Sequence, residues 1–305
     1  MKEKVKVFFA AIGYLLLTVG IQLGISIIGG IALGVYYIAK EISKSANGTN
    51  IMGDNINELM TLAVRFTNVF LLVSSIVTIF TLILIYKIKK RNYKKELQII
   101  KTSNTNILFA IILGVSCWLF NAGVLSLVEE AGILSNQFEY MSEILAPISQ
   151  GSIILSIITV GIVAPIAEEV LFRGVIYNTL NRKISVKWTI IIQAILFGVF
   201  HGNLIQGLYA TLLGVIFGYV TYKTKSLWPA IIMHMTNNLI ATMAPYIFGD
   251  YFGNTLIYIG FMLVGIIGLI VFLIILNIKN PKSKEIEIDF KNFNNLNWCL
   301  ISLIN

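Results

Sequence analysis

The chain of 305 residues is 57% hydrophobic and 12% charged, and its mean hydropathy is +0.83. Soluble globular domains carry about a quarter charged residues, so the composition excludes that class and indicates a membrane protein. The net charge of +8 would suit nucleic-acid binding only if the basic residues shared one surface, and their positions below exclude this. The two cysteines, Cys117 and Cys299, are not spaced as in a disulfide framework or a cysteine-zinc site, so the sequence excludes both.

The apolar residues occur in runs of roughly 18–30, long enough for a helix to cross a hydrocarbon core of about 30 Å. A membrane barrel would need short alternating segments instead. The first run is too long for a signal peptide and is predicted to be a permanent span. The sequence therefore predicts an all-α, polytopic transmembrane bundle of about eight spans. The predicted spans are Val7–Ala39, Ala63–Tyr86, Asn106–Val128, Ser152–Leu180, Trp188–His201, Leu204–Tyr222, Leu227–Tyr246 and Thr255–Asn277.

The distribution of charge predicts the orientation of these spans, because lysine and arginine collect in cytoplasmic loops. With both termini cytoplasmic, 19 of the 23 basic residues lie on the inside. They fall in the segments 1–6, 87–105, 181–187, 223–226 and 278–305. The outside then carries only two basic residues, Lys40 and Lys44, and eight acidic ones, namely Glu41, Asp54, Glu58, Glu129, Glu130, Glu139, Glu143 and Asp250. The basic excess is therefore explained by membrane topology, and no nucleic-acid partner is expected.

A few ionisable residues remain inside the predicted spans, where each charge costs at least about 2.5–3.5 kcal/mol. They are Arg65, Glu168, Glu169, Arg173, His201 and His234. Arg65 lies close to a helix end and is predicted to reach the interface with its long side chain. The other five include both histidines of the chain and indicate a functional site.

The spacing of the two glutamates predicts different environments for them. Glu169 and Arg173 are four residues apart on one helix face, whereas Glu168 points about 100° away. We expect Glu169 to pair with Arg173, either as a support or as a purely structural lock, and Glu168 to face a cavity. Pro165 removes one backbone hydrogen bond and is expected to open the helix there.

The histidines lie in two further motifs. Phe197 precedes His201 by one turn and is expected to stack on it, and His234 precedes Asn238 by one turn. Each histidine alone would be read as an interhelical hydrogen bond. Beside Glu168 they suit hydrolysis, with Glu168 taking a proton from water, the histidines orienting that water and Asn238 donating to the oxyanion. Glycines at 198/202 and 214/218 are expected to let the helices approach closely.

A metal-dependent version of this site is equally compatible with the residues. Glu168, His201 and His234 could bind zinc, whose bound water ionises near neutral pH. The spacing decides neither for nor against zinc. The His-Glu-x-x-His helix of common zinc peptidases is absent, and no aspartate that could form a catalytic dyad lies in a span.

The three motifs together resemble those of the CPBP family. Glu168-Glu169-x-x-x-Arg173, Phe197-x-x-x-His201 and His234-x-x-x-Asn238 occur in that order on successive helices, within about residues 150–245. That family groups type II CAAX prenyl endopeptidases with bacterial Abi-type bacteriocin-immunity and processing proteins. The resemblance implies that Glu168 is the catalytic glutamate, that His201, His234 and Asn238 complete the site, and that Glu169 and Arg173 support it.

The resemblance also implies an organisation and a function. Residues 150–246 would form the catalytic membrane core, 1–149 would be helices without family motifs, and 247–305 would be a last span with a polar cytoplasmic tail. The expected activity is an intramembrane endopeptidase of the plasma membrane, with composition favouring a bacterial source. Its substrates would be membrane-associated, either prenylated CAAX-type or bacteriocin-like. A non-enzymatic scaffold or immunity protein and a proton-coupled transporter are the alternatives.

Overall fold

The computed structural model describes residues 2–46, 55–249 and 254–280, and these are helical without any strand. A glycosylation sequon in the sequence, Asn47-Gly48-Thr49, and the predicted tail after residue 280 lie outside the described residues. The helices are α1 (Lys2–Ala46), α2 (Asn55–Ile88), α3 (Tyr93–Glu96), α4 (Asn104–Glu130), α5 (Ser135–Ser149), α6 (Ile153–Asn181), α7 (Val186–Phe200), α8 (Leu204–Thr224), α9 (Trp228–Phe248) and α10 (Thr255–Lys279).

The all-α bundle is confirmed, and each predicted span coincides with one helix. Six of these helices, α1, α2, α4, α6, α8 and α10, are long and apolar enough to cross a membrane. Helix α7 is apolar but has only 15 residues, and α9 carries the polar residues His234, Asn237 and Asn238. The number of eight spans therefore stays a prediction. Helices α3 and α5 were not predicted.

The structure gathers the basic segments at one end of the bundle. Arg182 Nη2 donates to Glu96 Oε2 at 2.9 Å, and Ser226 Oγ donates to the Ile100 carbonyl at 2.7 Å. Asn280 Nδ2 donates to Asn106 Oδ1 at 3.2 Å, which adds the end of α10. We call residues 2–6, 87–105, 182–187, 223–226 and 279–280 the basic end. The segments that lie together at this end are the ones that the predicted spans place on one side of the membrane.

The opposite end of the bundle is formed by the other helix termini. Thr255 Oγ1 donates to Glu130 Oε1 at 2.6 Å, and Lys40 pairs with Glu58 where α1 and α2 meet. We call residues 40–46, 55–58, 129–152, 246–249 and 254–258 the acidic end. Which of the two ends faces the cytoplasm stays a prediction from the positive charge.

Helix α6 lies at the centre of the bundle and supplies much of the core. Its segment from Val170 to Leu180 packs against α1, α2, α7 and α9 in one buried apolar cluster. A second cluster joins α4, α8, α9 and α10. The outer faces are apolar as well, and on α1 Leu23, Ile28 and Val35 are each more than half exposed. Such a surface suits hydrocarbon, and it leaves the polar groups of α6 and α9 in the interior.

Three of the four predicted glycine contacts are present between neighbouring helices. A Cβ at Gly214 would lie 2.8 Å from the Ala194 Cα, and one at Gly218 would lie 2.6 Å from Gln193 Nε2. Gly198 likewise abuts α8. The prediction is wrong for Gly202, which has open space around it and a φ of +72° in the turn between α7 and α8. Glycine is favoured there because side chains disfavour that backbone conformation.

Candidate active site

Helix α6 changes its hydrogen-bonding pattern on both sides of the two glutamates. A six-residue α-helical stretch, Ala164–Glu169, lies between two π-helical stretches, Ile157–Val163 and Val170–Ile176. The Ala164 N–H accordingly donates to the Thr159 carbonyl, five residues earlier. Such π-helical turns are rare and occur often at functional sites. The helix opening that Pro165 predicts is thus present as a π-helical turn.

Asn238 compensates for the hydrogen bond that Pro165 cannot make. In the π-helical pattern the Val160 carbonyl would accept from residue 165, and proline has no N–H. Asn238 Nδ2 donates to the Val160 carbonyl instead, at 3.1 Å. Asn237 Nδ2 in turn donates to Asn238 Oδ1 at 3.0 Å. The amide predicted only as an oxyanion donor therefore also connects α9 to the opened part of α6.

The Glu169–Arg173 pair predicted from the spacing is confirmed. Arg173 Nη1 donates to Glu169 Oε1 at 2.8 Å, and both side chains are 0% exposed. The guanidinium lies 4.5 Å from the Phe197 ring centre and 5.1 Å from that of Phe217. Its Nη2 donates to the Gly214 carbonyl at 3.3 Å. Aromatic faces and a carbonyl thus stabilise a cation that has no access to solvent.

His234 is oriented by this buried pair. Its Nδ1 lies 2.9 Å from Glu169 Oε1, and its Nε2 lies 3.8 Å from Glu168 Oε2. A carboxylate can only accept, so Nδ1 carries the proton and Nε2 of the neutral ring is left as an acceptor directed at Glu168. No sequence pattern predicts this contact, because it depends on how α9 packs against α6.

His201 is oriented by its own helix. Its Nδ1 lies 2.8 Å from the Phe197 carbonyl, which can only accept, so Nδ1 donates and Nε2 is an acceptor. The Phe197 ring lies 4.9 Å from His201 and 5.7 Å from His234, at 84° to each. The expected stacking is therefore wrong: Phe197 meets both imidazoles edge to face, which is a preferred arrangement of aromatic rings.

One cavity of about 510 Å³ brings the predicted residues together. Glu168, with 21% of its side chain exposed, lines this cavity with His201, His234 and Asn238. Glu169 and Arg173 lie behind the wall, whereas Phe197 forms part of it. Further lining residues that the sequence motifs did not reveal are Gln206, Tyr209, Asn237, Asn121, Leu71 and Ile148.

A second cavity, of about 10 Å³, borders Glu168 on the side of α1 and α2. This volume is about that of one water probe. Polar side chains line much of it, and Thr78 Oγ1 is buried without a hydrogen-bond partner in the described part of the chain. The polar lining residues are Thr18, Gln22, Ser75 and Thr78. Two helices without family motifs therefore line the same small cavity as the candidate catalytic glutamate.

The predicted zinc ligands do not form a metal-binding group as they stand. Among the described residues, no three histidine, cysteine, aspartate or glutamate side chains are close enough together to hold a metal ion. Glu168 and His234 Nε2 approach each other, and a contact of the other ring nitrogen with a carboxylate is usual for a metal-bound histidine, but no third such side chain lies close enough to join them among the described residues. Zinc binding therefore stays a prediction.

The central segment of the chain is similar to known proteins. Residues 150–240 match the model of the family described as Type II CAAX prenyl endopeptidase Rce1-like. The chain is also 34% identical over 84 residues to the Bacillus subtilis (strain 168) protein named "Putative membrane peptidase YdiL". This match covers 28% of the chain and 34% of that relative, so it spans about a third of the relative's length. No solved structure matches the chain significantly.

Proposed function

We propose that this chain is an intramembrane endopeptidase, because residues 150–240 match the model of the type II CAAX prenyl endopeptidase Rce1-like family. It would hydrolyse peptide bonds of membrane-associated substrates. The observation that carries the proposal is the separation of 3.8 Å between Glu168 Oε2 and His234 Nε2 inside an otherwise largely apolar cavity. Two acceptors at this separation cannot bond to each other, but both can bind the same water.

The bound water would be the nucleophile. Its two hydrogens donate to Glu168 Oε2 and His234 Nε2, which leaves an oxygen lone pair for the peptide carbonyl carbon. As the C–O bond forms, Glu168 takes one proton, and it then gives that proton to the leaving amine nitrogen as the C–N bond breaks. His201 Nε2 is another acceptor in the same cavity, and it would be an alternative to His234 Nε2 for one of these two hydrogens.

Asn238 would bind the peptide carbonyl. Its Nδ2 has two hydrogens and uses one for Val160, so the second is available to the substrate carbonyl oxygen as its negative charge develops. Asn237 Nδ2 donates to Asn238 Oδ1 and so helps to fix the orientation of that amide. This arrangement would align the peptide bond against the water.

Glu168→Gln tests the proposal directly. Glutamine keeps the size of the side chain but cannot take the proton, so cleavage should fall by about 10²–10⁴-fold. Protein termini in membranes of cells with the wild type or Glu168→Gln would be compared at matched expression, with Glu3→Gln as a control at an exposed helix start. Specific termini should disappear only with Glu168→Gln. Identical termini, with a wild-type phenotype retained, would instead favour a non-enzymatic scaffold or immunity protein.

The finer assignments are tested separately. Prenylated CAAX-type peptides and bacteriocin-like peptides are the two proposed substrate classes, and purified protein in liposomes can be offered both. We place the protein in the bacterial plasma membrane as a multi-pass protein.

For zinc, the donor set Glu168, His201 and His234 is tested by metal analysis of the purified protein, with His201→Ala as the comparison. One equivalent of zinc that is lost in the variant would establish a metal site.

A further inference from the structure

One face of α4 lines the cavity that contains Glu168. The residues of α4 that border this cavity follow one another at intervals of three or one, so they form a single stripe along the helix. They are Trp118, Asn121, Ala122 and Leu125. Asn121 is the polar member of this stripe. Because α4 precedes the family match at 150–240, this amide lies outside the matched segment.

The side chain of Asn121 is buried and unpaired, but it is open to the cavity. Asn121 is 8% exposed, and its amide has no hydrogen-bond partner among the described residues. Asn237 Oδ1 is unpaired as well, but that atom is fully enclosed, whereas the two polar atoms of Asn121 are not. Buried polar groups normally have partners, and an unpaired one lowers stability. Asn121 is therefore placed to bind a molecule that enters the cavity.

The position of Asn121 along α4 gives its distance from the candidate catalytic residues. A Cβ at Gly114 would lie 2.6 Å from the carbonyl of Met233, the residue before His234. Asn121 lies two turns further along α4, which is roughly 10 Å at about 1.5 Å per residue. An extended peptide covers this distance in about three residues, at roughly 3.3 Å per residue.

The chemistry of the amide indicates what it binds. A carboxamide has an acceptor oxygen and two donor hydrogens, so it can pair with both the N–H and the C=O of a peptide bond. The neighbouring walls from α4 and α5 are apolar, at Ala122, Leu125, Leu145 and Ile148. These walls can contact substrate side chains but cannot hydrogen-bond to the backbone. Asn121 is therefore suited to fix the position of the backbone.

We propose that Asn121 is a substrate-binding residue, which hydrogen-bonds to a backbone amide about three residues from the peptide bond that is cleaved. This rests on the proposed function and adds a binding position for an extended peptide. The contact is remote from the reacting atoms, so it stabilises the bound substrate and the transition state equally. Its loss should raise KM and leave kcat unchanged.

A cycle of one variant and one substrate change tests the contact. The probe is a synthetic peptide that spans a Glu168-dependent terminus from the membrane comparison above, offered to the full chain in liposomes. Asn121→Leu keeps the branched shape and removes the amide, so KM should rise about tenfold. Esters that replace single peptide bonds remove one N–H each and weaken the carbonyl as an acceptor. One ester, two to four residues from the cleaved bond, should raise KM about as much in the wild type and have no further effect in Asn121→Leu.

A second asparagine of α4 provides the matched control. Asn106 is also 8% exposed, but its side chain hydrogen-bonds to Thr102 and Asn280. Asn106→Leu should lower the unfolding temperature and keep the response of KM to the ester. Asn121→Leu should not lower the unfolding temperature, because it breaks no hydrogen bond within the described protein. Asn121→Ala removes the same amide and should give the same KM effect.

The outcomes distinguish this proposal from the proposed function. If no terminus depends on Glu168, the peptidase itself is contradicted, and the role of Asn121 with it. If termini depend on Glu168 but KM is unchanged in Asn121→Leu and Asn121→Ala, only the role of Asn121 is overturned. The same conclusion follows if every ester acts as strongly in these variants as in the wild type, because the amide then contacts only water.

Discussion

Two adjacent glutamates of α6 have environments that divide the tasks of the site. Glu169 has no exposed side-chain surface and contacts Arg173 and His234, whereas Glu168 reaches the cavity. The buried carboxylate fixes the orientation of His234 through Nδ1 and so directs Nε2 at Glu168. A carboxylate behind a histidine has this orienting role in many hydrolytic sites. Glu169 therefore supports the fold, and its neighbour Glu168 is left for the proposed chemistry.

We predict that Glu169→Gln is a folding defect, in contrast to Glu168→Gln. Removing the charge of Glu169 leaves the Arg173 guanidinium buried without a counter-ion, which costs about 3–5 kcal/mol. In thermal unfolding experiments in detergent, the unfolding temperature should fall strongly for Glu169→Gln and hardly at all for Glu168→Gln. Adding Arg173→Met to Glu169→Gln should recover much of the loss, because no uncompensated charge remains. Equal stability of the two single variants would contradict this division.

The residues of the site were predictable to the extent that their contacts lie within one helix. The Glu169–Arg173 pair follows from the spacing of four residues, and the exposure of Glu168 to the cavity follows from its angular offset. The contact of His234 with Glu169 joins α9 to α6 and depends on the packing of two helices. The edge-to-face position of Phe197 against both imidazoles depends on packing in the same way.

At the scale of the helix, the π-helical turn of α6 and the amide of Asn238 depend on each other. Pro165 leaves the Val160 carbonyl without its backbone donor, and Asn238 replaces that donor. We predict that Asn238→Ala lowers the free energy of unfolding by about 1–3 kcal/mol, because it leaves a buried carbonyl unpaired. In a Pro165→Ala background, which restores a backbone N–H, the same change should cost less.

A double-mutant cycle on thermal or denaturant unfolding measures this coupling. Additive effects of Asn238→Ala and Pro165→Ala would show that the two positions are independent. Any loss of cleavage beyond that explained by unfolding would then report the proposed contact of Asn238 with the substrate carbonyl.

Helices α1 and α2 contribute to the site through the small cavity behind Glu168. We predict that Thr78→Val lowers kcat several-fold and leaves KM unchanged, because it removes a hydroxyl that can hold water next to the carboxylate. Thr78→Ser should retain activity, since it keeps the hydroxyl. Ser74→Ala is the matched control, because Ser74 is also buried on α2 but donates to its own helix at Leu71.

Kinetic constants and unfolding temperatures distinguish water binding from a structural role. If the Thr78 hydroxyl is unpaired and binds no water, Thr78→Val should raise the unfolding temperature and leave kcat unchanged. Such a result would contradict the prediction.

At the scale of the whole molecule, hydropathy and charge predicted the arrangement of the helices better than their number. The basic loops do share one end, since long apolar runs force the chain to alternate between the two membrane faces. Helix α5 was missed because its few apolar residues, including Phe138, Leu145 and Ile148, are too short a run for a span. Helix α7 is short and α9 contains polar residues, and both carry residues of the candidate site. Hydropathy alone therefore predicts membrane spans least well at these two helices.

The same packing indicates that residues 150–305 cannot form the whole cavity without residues 1–149. The cavity walls include Leu71, Asn121 and Ile148, and Asn68 Nδ2 donates both to the Ile148 carbonyl and to Ser156 Oγ at 3.0 Å. A Cβ at Gly114 would lie 2.6 Å from the Met233 carbonyl, so α4 packs directly on α9 near His234. The family match at 150–240 therefore covers the motif residues but only part of the walls around them.

We predict that a fragment of residues 150–305 has no peptidase activity alone and regains it when residues 1–149 are co-expressed as a separate chain. Preformed membrane helices associate through packing and hydrogen bonds, so the break between α5 and α6 should be tolerated. Cleavage assays and co-purification of the two fragments measure the outcome. Glu168→Gln in the larger fragment is the control that should keep assembly and abolish cleavage. Full activity of the 150–305 fragment alone would mean that α2, α4 and α5 do not shape the working site.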